Sequence, residues 1–76
     1  MNEIARQVED IIAGELGGYA AKAAFCRDCE VIGATPETLT AAQLPALAEE
    51  VWRSVSFFSD SERGDSVKNR IRAIMA

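Results

Sequence analysis

A small all-α bundle of three to five helices, forming one domain over residues 1–76, is the fold the sequence predicts. Three observations predict it. The stretch from Thr40 to Phe58 carries Leu44, Leu47, Ala48, Val51, Val55 and Phe58 at offsets that trace one helix face. The chain has 76 residues, 49% hydrophobic and 26% charged, which is the balance of a folded domain with a single small core. No segment alternates apolar and polar residues with the period of two that a half-buried strand requires. The Leu44–Phe58 stripe is therefore expected to form the central helix, flanked by the N-terminal and C-terminal helices.

The first segment starts at Asn2, a good N-cap, with Glu3 favourable in the first turn. Ile4, Val8, Ile11, Ile12 and Leu16 follow at helical spacing. Gly17-Gly18 is expected to break the helix, at a cost of about 1 kcal/mol per glycine relative to alanine. An unbroken helix of about thirty residues would span about 45 Å, longer than a domain of this size, and would need a dimer to cover it. The alanine-rich run Tyr19–Ile32 keeps the phase of the first segment. At about 100° per residue, Ile4, Val8, Ile11, Ile12, Tyr19, Ala23, Cys26 and Cys29 share a sector about 120° wide. Glu15 and Lys22 intrude on it.

Gly33 suits the C′ position that ends this run. Thr35-Pro36-Glu37 is a turn or helix-start signal, and Leu39 can pack back as an anchor. Thr40-Ala41-Ala42-Gln43 matches the capping box, with regular helix expected from Leu44 or Pro45. Trp52 lies beside the apolar face of that helix and Phe57 widens it. Ser59-Asp60-Ser61-Glu62 is a second capping-box match. Val67, Ile71, Ile74 and Met75 form the last stripe, with Lys68, Arg70 and Arg72 toward the negative end of the helix dipole. Gly64 weakens the first turns, so a start near Asp65 or Ser66 is an alternative.

Charge narrows the function classes. A net charge of −4 disfavours nucleic-acid backbones and anionic membrane surfaces as partners. The chain has no histidine, which removes the commonest general base and zinc ligand. The opening Met-Asn-Glu has no basic, then apolar, signal pattern, and no apolar run reaches membrane-spanning length, so a cytoplasmic protein is expected.

Cys26-Arg27-Asp28-Cys29 is a C-x-x-C that places two thiols one helical turn apart. As chemistry, such a pair shuttles between dithiol and disulfide or ligates a metal. Arg27 would favour a thiolate and Asp28 oppose it. Zinc would require a second copy to supply four thiolates. The favoured reading is core packing, since cysteine is a small hydrophobe and both lie in the apolar sector. Arg63-Gly64-Asp65 spells the integrin-ligand tripeptide, but in a helical, cytoplasmic setting it is read as coincidence. Glu9-Asp10 and Glu49-Glu50 are adjacent on helices and do not face each other, so they are read as solvated charges.

Gly64-Asp65-Ser66-Val67 resembles the Asp-Ser-Leu motif of acyl carrier proteins, and Ile4…Val8…Ile11-Ile12…Leu16-Gly17 is similar to a carrier's first helix. The resemblance implies phosphopantetheine on Ser66. It covers about a quarter of the chain, and Ser66 lies late in the chain where a carrier's serine opens a helix near the middle.

No catalytic constellation emerges, while the apolar faces are generous for the length. The expected role is a non-catalytic module that self-associates or binds a protein partner, with no cofactor. Leu44, Leu47, Val51, Trp52, Val55 and Phe58 are its core or interaction face. A thiol redox or metal protein using Cys26 and Cys29 is the alternative, and a carrier-like protein a further one.

Overall fold

In a computed structural model, which describes residues 2–74, the chain forms four helices and one short 3-10 turn. These are α1 (Glu3–Leu16), α2 (Gly18–Val31), the 3-10 turn Ala41–Gln43, α3 (Leu44–Phe58) and α4 (Ser61–Ala73). No strand occurs among the described residues. Met75, expected in the last stripe, lies outside them.

Asn2 caps α1, its side-chain oxygen accepting from the Ala5 N–H at 2.8 Å. The same residue ties the chain start to the loop after α2. Its Nδ2 donates to the Leu39 carbonyl at 2.8 Å and its backbone N–H to the Pro36 carbonyl at 3.1 Å. Leu39 is buried, as an anchor should be.

Gly17 ends α1 with φ at +84°, and α2 begins at the next residue. A left-handed residue of this kind is open to glycine and strained for others. It changes the chain direction and also resets the helical phase. The shared sector expected across the glycines is therefore corrected. The buried face of α2 is Ala21, Ala24, Phe25, Asp28 and Cys29, while Tyr19, Ala23 and Cys26 are exposed. Phe25, absent from the expected sector, is the largest fully buried side chain.

Helix α2 closes in a Schellman motif. Gly33, at φ +77°, donates to the Glu30 carbonyl at 3.0 Å, and Ala34 donates to Cys29 at 2.8 Å, with Ala34 buried. Gln43 Oε1 accepts the Thr40 N–H at 2.9 Å, the return arm of the capping box, and α3 starts at Leu44 with Pro45 in its first turn.

The core joins Val8 and Ile12 of α1, Phe25 and Cys29 of α2, Leu47, Val51 and Val55 of α3, and Val67 and Ile71 of α4. Helix α3 touches all three other helices, most extensively α4. Leu44, Leu47, Ala48, Val51 and Val55 are buried as the stripe requires. Phe58 is not: it is 66% exposed, which corrects its place in the core. It lines an open cleft against α2 whose other lining residues include Ala20, Ala23 and Ala24.

Helix α4 begins at Ser61, within the expected Ser59–Glu62 start and not at the alternative Asp65 or Ser66, and its cap is Asp60 rather than Ser59. Asp60 Oδ1 accepts the Arg63 N–H at 2.7 Å. Gly64 does not weaken this helix but admits α3. A Cβ there would run into Ser56 Oγ and lie 3.0 Å from Trp52 Cδ1 and 3.1 Å from the Trp52 carbonyl oxygen. Gly64→Ala is expected to lower stability by about 1 kcal/mol net. Overpacking of about 1–3 kcal/mol outweighs a helix-propensity gain of about 1 kcal/mol. Urea denaturation reads this directly. Ser56→Ala, which removes the first obstacle and a buried hydroxyl lacking a partner, should recover part of the loss.

Candidate interaction groove

Helices α2 and α3 each carry a second face beside the core. On α2 it is Ala20, Ala23, Ala24, Arg27, Asp28 and Val31, and on α3 it is Glu50, Arg53, Ser54, Phe57 and Phe58. The offsets of three, four and seven keep each set on one side of its helix. Small residues at the centre leave an open groove between the helices. It consists of two adjoining clefts of about 340 and 300 Å³ that share Arg27, Ser54 and Phe58.

One end of the groove is apolar, walled by Tyr19, three alanines and Phe58, and the other carries Arg27, Asp28, Glu50 and Arg53. Among the described residues, the exposed large hydrophobic side chains are Tyr19 (94%), Phe57 (83%), Phe58 (66%) and Val31 (58%). All four line this groove. The Phe57 and Phe58 rings pack edge to face with centroids 5.2 Å apart, which stiffens that rim.

Asp28 forms part of the groove floor and is only 3% exposed. Ser54 Oγ lies 2.9 Å from Oδ1 and 3.0 Å from Oδ2, so one hydroxyl proton serves both oxygens and tethers α2 to α3. Burial pushes the Asp28 carboxyl up to about 6. The Ser54 hydrogen bond pulls it back, Glu50 adds to the rise, and Arg27 opposes it. Above the floor the exposed Arg53 pairs with the half-buried Glu50 at 3.7 Å.

The cysteines separate. Cys29 is buried in the core and Cys26 is exposed, so the expectation that both pack inside is corrected for Cys26. Burial, with Cys26 and Asp28 nearby, pushes the Cys29 thiol up to about 11 and keeps it protonated. No group of three or more cysteine, aspartate or glutamate residues among those described converges as metal ligands would.

The remaining motifs are structural in placement. Gly64 is buried against α3, and Asp65 Oδ1 accepts the Trp52 indole N–H at 2.7 Å, so Arg63-Gly64-Asp65 is not a free loop. Trp52 is half-buried. Ser66 is exposed inside α4 rather than at its start. Lys68 reaches Glu49 at 2.6 Å, closing α4 onto α3. No described helix is long and apolar enough to cross a membrane.

A scan against protein-family models and searches of curated proteins and of solved structures each found no match.

Proposed function

We propose that this chain is a non-catalytic protein-interaction module and that the α2–α3 groove is its contact surface. One observation carries the reading. The exposed large hydrophobic side chains of the described residues gather on this single groove instead of scattering over the surface. Aromatic side chains beside arginines are the residue types that dominate binding energy at protein interfaces. Their helix-end position leaves the core intact when they are altered. The thiol alternative draws less support, because Cys29 is buried and held protonated.

Affinity capture with the wild-type chain and a Phe57→Ser/Phe58→Ser variant tests the proposal. A protein retained by the wild type and by a Gln7→Ala surface control, but lost with the double variant, is the expected result. Identical retention by all three would contradict it.

A further inference from the structure

We infer that the last turn of α2 is held on α3 by a proton-dependent latch: the Asp28–Ser54 pair grips while Asp28 carries its proton and lets this turn part from α3 once Asp28 ionises. The latch works whatever the groove binds. Few polar ties hold α2. Helix α4 is fastened to α3 by Lys68–Glu49 at 2.6 Å and by the Trp52–Asp65 hydrogen bond at 2.7 Å, and to α1 by Arg63–Glu15 at 3.8 Å. Among the described residues, α2 has a single side-chain partner of this kind on another helix, Ser54, held through Asp28. Gly33, at φ +77°, follows the turn and supplies a backbone that tolerates its swing.

The sense of the latch follows from the hydrogen bonds. Ser54 Oγ lies almost equally far, 2.9 and 3.0 Å, from the two oxygens of a buried carboxyl. An ionised carboxylate only accepts, so the serine's one proton is divided between two contacts. A protonated carboxyl donates its own O–H to Ser54 Oγ and accepts the serine proton on its other oxygen, so both contacts become full hydrogen bonds. Ionised, Asp28 is a buried charge short of donors. Lifting the turn lets water from the adjoining open cleft supply them. The surrounding charges do not offset this. Glu50 of α3 opposes ionisation, Arg27 of α2 favours it more weakly, and Arg53 of α3, in the same cleft, pairs with Glu50. Cys29, next along α2, is held protonated, and among the described residues no charged group of α1 acts on Asp28. With the carboxyl raised from 3.8 to about 6, the latch is closed in acid and is released as the pH rises through about 6.

Cys29 sits in the latched turn and is buried, so its thiol reports the opening. The full chain carrying Cys26→Ser, which leaves Cys29 as its one thiol, is labelled with 4,4′-dithiodipyridine. Its rate divided by that of the same chain with Asp28→Asn, at the same pH, cancels the pH dependence of the thiol chemistry. The ratio is expected to rise by about tenfold or more between about pH 4 and about pH 7. Labelling should not respond to urea far below the unfolding transition, which marks a local opening. Ser54→Ala removes the grip of the protonated form, so at about pH 4 it should speed labelling by about tenfold or more. A ratio that does not change with pH would overturn the latch. So would labelling no faster than the global unfolding measured by urea titration allows, or Ser54→Ala labelling at the parent's rate in acid.

Discussion

Replacing Phe25 with alanine is expected to remove about 3–5 kcal/mol of stability. Phe25 is the largest fully buried side chain and sits with Val8, Ile12, Leu47, Val51 and Ile71 in one core. Truncation loses the transfer free energy of the ring and leaves a void that four short helices cannot fully close. Small domains are held by about 5–15 kcal/mol in all, so the variant should be largely unfolded by modest urea, and partly so at physiological temperature. Urea titration followed by far-UV circular dichroism measures the loss. Tyr19→Ala is the control: its side chain is exposed and its removal should change stability by about 0.5 kcal/mol or less.

Asp28→Asn carries the second large effect, and its sign is the reverse of the usual carboxylate. The folded state raises the Asp28 carboxyl from 3.8 to about 6, so folding favours its protonated form. Ionisation therefore costs stability. The cost is absent below pH 3.8, grows between there and about 6, and is complete above 6. That shift corresponds to at most about 3 kcal/mol. Asparagine keeps the shape and offers Ser54 both an acceptor and a donor. At neutral pH the variant should be about 1–3 kcal/mol more stable than wild type, and the wild-type gain on lowering the pH from 6 toward 4 should vanish. Glu49, held low chiefly by its hydrogen bond from Lys68, acts in the opposite sense, its contribution being lost only as the pH falls below 4.5. Stability measured as a function of pH on both proteins separates the two.

Local signals located the helices well. The Leu44–Val55 stripe, the Asn2 cap, the Gly33 terminus and the Gly17 break all depend on residues close in sequence, where propensity and hydrogen-bond geometry decide. Helical periodicity could not say how α2 is rotated once Gly17 had reset its phase. That rotation buries Phe25 and exposes Tyr19 and Cys26. Gly64 read as a weakness because propensity knows nothing of the neighbouring helix that needs its missing side chain. Phe58 fits the stripe by angle, yet at the end of α3 it borders an open cleft against α2 and stays 66% exposed, which periodicity within one helix does not reveal. Asp28 was legible only as a neighbour of two thiols, since its partner Ser54 lies 26 residues away. The adjacent Phe57-Phe58 pair was the available hint of the groove. Two neighbouring positions are about 100° apart on a helix, so both rings cannot enter one narrow core.

The most direct test of a contact surface outside the core is the urea stability of Phe57→Ser/Phe58→Ser measured beside Phe25→Ala. Rim residues that serve a partner should cost little to remove, leaving the double variant within about 1 kcal/mol of wild type while Phe25→Ala falls by about 3–5 kcal/mol. A double variant as destabilised as Phe25→Ala would place both rings inside the fold and contradict the groove.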